Sequence, residues 1–244
     1  MRRTRQLALD LGRQTVRRER GGRPKGPRPL VRHQSRQLFL ESEPCHITLR
    51  VRPGLRSLRD EDVACEVEAA IRRGHDRGSF RLVHYSIQDD HAHLIVEAKD
   101  RKTLGRGMKS LASLFAFAVN RALGRTGRVL ADRYHLRILT CPRQVRNALA
   151  YVLLNARRHA AKGIAKIRRA GLKVPLLTST GALDRASSAR WFPGWRRDVP
   201  VRRPPPYTPG TQPAVAAPRT WSLIEGWRIH GLLDPNEIPG GVKA

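Results

Sequence analysis

Acidic residues are scarce in this chain: 20 Asp and Glu stand against 48 Lys and Arg, a net charge of +28 over 244 residues. Such an imbalance disfavours basic partners and points to a polyanion, nucleic acid first. Long apolar runs are missing too. The longest, around Leu111 to Val119, falls far short of the roughly 20 residues that cross a bilayer, so no membrane insertion is expected. The basic N-terminus lacks the apolar stretch of a secretory signal, and a cytoplasmic protein is expected. Only three cysteines occur, Cys45, Cys65 and Cys141, with no CxxC spacing. That argues against a disulfide framework or a cysteine zinc site and suits small buried residues in a reducing compartment. No helicase P-loop is present.

Residues 1–36 hold twelve Arg and Lys against Asp10 and Glu19, with Gly and Pro grouped from Gly21 to Pro29. That composition cannot build a core, and residues 1–40 read as a basic, flexible arm. Residues 166–219 read as a basic and Pro-rich linker. Residues 220–244 read as a short docking or DNA-contact segment, with Trp221, Ile224 and Trp227 at helical spacing. Regular periodicity is confined to 41–165.

Within that region, His46–Val51 alternates apolar and polar residues as a strand does. Ser57 suits the cap of a following helix, with Asp60 in its first turn and Val63, Val67, Ala70 and Ile71 along one face. Phe80–Gln88 and Ala92–Ala98 read as strands separated by Asp89 and Asp90, a hairpin. Leu104, Met108, Leu111, Phe115, Ala118 and Ala122 recur at helical spacing up to Gly124. Tyr134–Leu139 returns as a strand. Pro142 opens a last helix that runs to about Gly163. The order β-α-β-β-α-β-α predicts an α+β fold, the ferredoxin-like split βαβ pattern with an antiparallel sheet and an added C-terminal helix.

His91 and His93 lie two apart on a predicted strand, so both imidazoles leave one face and could grip one cation. Nine histidines in the chain also supply such spacing by chance. On the last helix, at about 100° per residue, Val145, Leu149, Val152 and Leu153 form the core face. Tyr151 and Asn155 lie roughly 100° to 145° from its middle. They are one turn apart and point together.

The stretch from Val83 to Ala98, with His91-Ala-His93, resembles the HUH motif strand of the single-tyrosine transposases. Tyr151-Val-Leu-Leu-Asn155 resembles the Tyr-x-x-x-Asn helix of their REP-associated branch. The likeness covers roughly residues 40 to 163. It implies that His91, His93 and Asn155 are metal ligands for Mg²⁺ or Mn²⁺ and that Tyr151 is the nucleophile. The implied activity is cleavage of single-stranded DNA beside a hairpin, through a 5′-phosphotyrosine link, which a 3′-OH can later reverse to rejoin strands. Two positions depart from the pattern: Asp90 stands where many relatives have Asn, and Ala156 where many have Pro.

The chemistry suits these residue types. A divalent ion on a phosphodiester oxygen polarises it and fixes it in line for attack. Two imidazoles and an amide oxygen leave coordination positions open. A phenol is a weak acid, so a base or the metal must help remove its proton.

If Asp89 and Asp90 form a two-residue turn, Gln88 pairs with His91 and Ser86 with His93. His84 and Glu97 then share the ligand face, as outer supports of the metal site or, for Glu97, as a ligand. Arg143, Arg146, Arg157 and Arg158 on the nucleophile's helix suit a phosphate backbone. Gly22-Arg23-Pro24-Lys25 is close to an AT-hook core, which makes Arg23 and Lys25 minor-groove candidates. The alternative to an enzyme is a catalytically silent DNA-binding regulator on the same fold. The sequence does not choose between monomer and dimer.

Overall fold

Period-two alternation builds the sheet. In the computed structural model, which describes residues 38–169, 181–207 and 212–240, Cys45, Ile47 and Leu49 of β1 (Cys45–Arg50) are buried on one side. His46 and Thr48 point to the other. β2 (Phe80–Ile87), β3 (His91–Ala98) and β4 (His135–Ile138) complete a four-stranded sheet in the order β2-β3-β1-β4, antiparallel throughout. With α1 (Glu61–Gly74) and α2 (Arg101–Ala122) as crossovers, this is the expected α+β, ferredoxin-like pattern. Gln88 N–H donates to the His91 carbonyl at 2.8 Å, closing the predicted hairpin around Asp89 and Asp90.

Both faces of the sheet are covered. On one face, Ile47, Leu49, Leu82, Tyr85, Leu94 and Val96 pack against Val63, Val67 and Ile71 of α1 and Leu104, Met108 and Phe115 of α2. Each such side chain, fully buried, contributes about 1.5–3 kcal/mol. Gly107 lets α2 approach β2, because a Cβ there would stand 2.2 Å from the Phe80 ring. On the other face, Val83 and Ile95 pack against Val145, Leu149, Val152 and Leu153 of α3 (Pro142–Leu153). A bulge between Leu82 and His84 turns Val83 and His84 to this same side.

Three local expectations change. Ser57 does not cap α1: its hydroxyl donates to Asp89 Oδ1 at 2.7 Å, and Asp60 takes the N-cap position. The Ser57 hydroxyl still accepts the Arg59 N–H at 3.1 Å, but α1 starts only at Glu61, too far on for Ser57 to cap. The last helix breaks at Leu154 (φ −114°, ψ 18°), and α4 (Asn155–Arg169) starts anew. Finally, Cys141 is exposed rather than buried, because it precedes α3 as its N-cap.

The described parts of 166–219 do not behave as a linker. Residues 181–207 and 212–219 lie on the sheet and α3, and Leu183, Ala189, Phe192 and Trp195 are buried there together with Val83, Ile95 and Leu149. Proline content masked these apolar anchors. Further on, Leu223, Trp227 and Leu233 join the same cluster, which is docking, while Trp221 is 60% exposed. Among the described residues, no helix is long and apolar enough to cross a membrane.

Candidate active site

On the face covered by α3, four elements bring imidazoles and a phenol together. β3 supplies His91 and His93, whose Nε2 atoms lie 3.1 Å apart. From β1, in register with β3, come Thr48, paired with His93, and His46, paired with Ile95. His46 Nε2 and Thr48 Oγ1 each lie 3.2 Å from His93 Nδ1. α3 sets the Tyr151 ring edge-on to His93, centroids 4.9 Å apart, and 5.7 Å from the His46 ring. α4 places the Arg158 guanidinium 5.0 Å from the centre of the Tyr151 ring, a cation–π contact, and His159 6.4 Å from His91.

The hydrogen bonds constrain protons. Asp90 Oδ1 lies 2.6 Å from His91 Nδ1, so that nitrogen donates and His91 Nε2 is left with a lone pair. Two lone pairs cannot face each other at 3.1 Å unaided. Either one of the two Nε2 atoms carries a proton and donates it to the other, or a cation lies between the two nitrogens.

Burial shapes the electrostatics. It pushes the His93 imidazolium down to about 3, helped by His46, His91, His159 and Arg158. It lowers His46 to about 4, with Arg137 and His135 adding to the effect. His159 is also lowered, by burial and then by His91, Lys162 and Arg158. At Asp90, burial raises the carboxyl, but the hydrogen bond from His91 and the nearby charges of His91 and Arg50 outweigh it and hold it below its ordinary value. His46 and His93 are therefore neutral at pH 7, with no proton to lose before meeting a cation.

Of the sequence candidates, His91, His93 and Tyr151 come together. Asn155 does not join them by any hydrogen bond: its Oδ1 and Nδ2 are both buried and neither has a hydrogen-bond partner. A single non-helical residue, Leu154, separates Asn155 at the start of α4 from Tyr151 near the end of α3. Among the described residues, no three His, Cys, Asp or Glu side chains are grouped to hold a metal.

His84 and Glu97 lie on the ligand face, as expected, but both are engaged elsewhere, and Glu97 is also too far along its strand. Four strand residues separate Glu97 from His93, roughly 13 Å. Glu97 instead accepts from the backbone N–H of Arg219 and Thr220 and from the Thr220 hydroxyl, at 2.8 to 3.0 Å. His84 faces Ser188 Oγ at 3.1 Å and stacks edge-on against Phe192. Both anchor the C-terminal segments.

The basic candidates also divide. Arg143 is exposed and Arg158 covers Tyr151. Arg146 is paired at 2.7 Å with Glu237, and burial lowers the Arg157 guanidinium, with Asp234 opposing. Arg23 and Lys25 lie outside the described residues. Sequence reasoning missed His46, Asp90 as a partner of His91, and His159. Alternation puts His46 on the polar face of β1, but only the register with β3 shows that it meets His93.

Beside Tyr151 lies a cavity of about 330 Å³, lined on the sheet side by His46 and Arg137, on α3 by Gln144, Arg146 and Asn147, and closed by Glu237, Pro239 and Gly240. Such a volume is at the small end for ligand pockets.

No protein-family model matches the chain, and neither does any curated protein. Among solved structures, it is similar to a REP-associated tyrosine transposase bound to a REP hairpin, at 16% identity and a TM-score of 0.41, over 52% of this chain and 73% of that one. It is also similar to a protein described as a candidate transposase from Deinococcus radiodurans R1, at 15% identity and a TM-score of 0.34, over 54% and 92% of the two chains. Both scores are low, and neither likeness decides the chemistry.

Proposed function

We propose that this protein is a metal-dependent DNA strand-cleaving and strand-joining enzyme of the single-tyrosine transposase kind, acting on single-stranded DNA beside a hairpin. The observation that carries the proposal is the convergence of Tyr151 on the pair His91 and His93, whose Nε2 atoms are 3.1 Å apart. That separation suits two adjacent ligands of one ion at about 2.1 Å each. His91 already has its other nitrogen held by a carboxylate, the usual support of a metal-binding imidazole. The third ligand is Asn155. A buried amide without partners is costly, and a cation on Oδ1 would satisfy that atom.

Mg²⁺ or Mn²⁺ at these ligands would supply Lewis-acid polarisation of the scissile phosphodiester. The chain's own residues do the rest. Arg158 and Arg137 hold strand phosphates at the site. The Tyr151 oxygen attacks phosphorus, the P–O3′ bond breaks, and the departing 3′ oxygen ends with the phenolic proton. The product is a 5′-phosphotyrosine and a free 3′-OH, and attack by a 3′-OH on the phosphotyrosine reverses the step.

The test incubates the protein with labelled hairpin-bearing single strands and Mn²⁺ and looks for a denaturation-resistant adduct. Wild type is expected to form it and Tyr151→Phe is not. An adduct that persists in Tyr151→Phe overturns the assigned nucleophile. Retention of DNA with no adduct from any strand favours the silent regulator.

A further inference from the structure

We infer that His46 is a positioning residue: its Nε2 accepts the Nδ1–H of His93 and thereby turns the His93 Nε2 lone pair toward the ion shared with His91. This rests on the metal-site reading of His91 and His93 and adds to it a residue outside both motifs. The geometry is a short chain of imidazoles. Asp90 Oδ1 holds His91 Nδ1 at 2.6 Å, and the two Nε2 atoms face each other at 3.1 Å. His46 Nε2 then lies 3.2 Å from His93 Nδ1.

Both Nε2 atoms can bind one cation only if both Nδ1 atoms carry the protons. Asp90 fixes that tautomer in His91. For His93 two acceptors are within reach, His46 Nε2 and Thr48 Oγ1, each at 3.2 Å. The Thr48 hydroxyl can rotate to donate or to accept, so it selects neither tautomer. With the His46 proton assigned to Nδ1, that ring presents only a lone pair at Nε2 and so selects Nδ1–H in His93. β1 sets this up through register: Thr48 pairs with His93, and His46, two residues before Thr48 on the same face, leans on the His93 ring with centroids 5.2 Å apart.

The test measures Mn²⁺ affinity by calorimetry in the full-length protein without DNA. His46→Leu is expected to weaken it about 10- to 100-fold, the usual loss when a metal-binding imidazole loses its support. His46→Gln, whose amide oxygen can accept the same proton, is expected to recover most of that loss. A variant that only disturbed packing would not be rescued this way. Nitrogen spectra of the imidazoles in Mg²⁺-loaded wild type provide a check that needs no variant: His93 should carry its proton on Nδ1.

Unchanged affinity in a folded His46→Leu, or an Nε2-protonated His93 in the loaded protein, overturns the inference. So does a wild type that binds no Mn²⁺. The outcomes for the enzyme reading are separate: Mn²⁺ binding that depends on His46 without any covalent adduct would sink strand cleavage and leave the role of His46 standing.

Discussion

Asp90 and His91 are neighbours in the chain that also hydrogen-bond through their side chains, Oδ1 to Nδ1 at 2.6 Å. The hairpin turn thus carries both a metal-ligand candidate and its support. Asp90→Ala is expected to weaken Mn²⁺ binding about 10- to 100-fold, whereas Asp90→Asn, which keeps an acceptor oxygen, should lose less. Calorimetric titration of the three proteins checks the order. Equal affinity in all three would remove Asp90 from the site.

Glu97 carries a different expectation. Its buried carboxylate takes three donors from Arg219 and Thr220, so Glu97→Ala leaves them unmet and loosens the C-terminal segments. A loss of about 2–4 kcal/mol of stability is expected, from the cost of stranding buried partners of a charged group. Urea unfolding measures it. Mn²⁺ affinity should not change, and a change would return Glu97 to the metal site.

Acid should weaken the fold through the buried histidines. His84 sits at about 3 and His46 at about 4, both below the ordinary 6.5, because burial opposes the charged form. Above pH 6.5 folded and unfolded chains are both neutral at these rings. Below it the unfolded chain takes up protons that the folded one refuses, so stability falls by up to about 1.4 kcal/mol per pH unit for each ring. The window is from 6.5 down to the folded values. Metal-free urea midpoints at pH 7.5, 6.5 and 5.5 should decline, and His84→Gln should flatten the slope. A midpoint independent of pH across this range would contradict the burial of these rings.

Arg158 and Arg146 should separate in their response to salt. Arg158 lies over the Tyr151 ring, while Arg146 is already paired with Glu237. For a single-stranded ligand, Arg158→Ala is expected to reduce the slope of log affinity against log salt by about 0.7, one phosphate contact. Arg146→Ala should leave it nearly unchanged. Fluorescence anisotropy over a salt series gives both slopes, and a reversed order would mean that the strand displaces Glu237.

Close packing of α2 on β2 gives a last expectation. A methyl at position 107 meets the Phe80 ring, and both partners are buried. Gly107→Ala should cost about 1–3 kcal/mol through overpacking, despite alanine's better helix propensity. A Tm at or above wild type would show that the helix shifts freely.

The sheet was legible because its signals are local. Alternation marked β1, and the Asp89-Asp90 turn determined the β2–β3 register, which put Ser86 opposite His93 as expected. The face of His84 and Glu97 was legible for the same reason; their engagement by Ser188, Arg219 and Thr220 was not, since those partners come from far along the chain. Asn155 shows the other limit. Spacing put it one turn after Tyr151 on one helix, but did not show that a new helix starts at Asn155 or that its amide is buried without a hydrogen-bond partner. His46 required knowing which residue of β1 lies beside His93, a long-range fact that no spacing encodes.

The wall formed by Glu237, Pro239 and Gly240 has a consequence for timing. Arg146 meets Glu237 across 91 residues, so the pocket beside Tyr151 closes only after the chain has been synthesised through Gly240. The histidine pair, in contrast, is in place as soon as its hairpin pairs with β1. A growing chain on the ribosome would thus hold its histidine pair well before it owned the finished pocket beside Tyr151, and the two halves of the site would mature in that order.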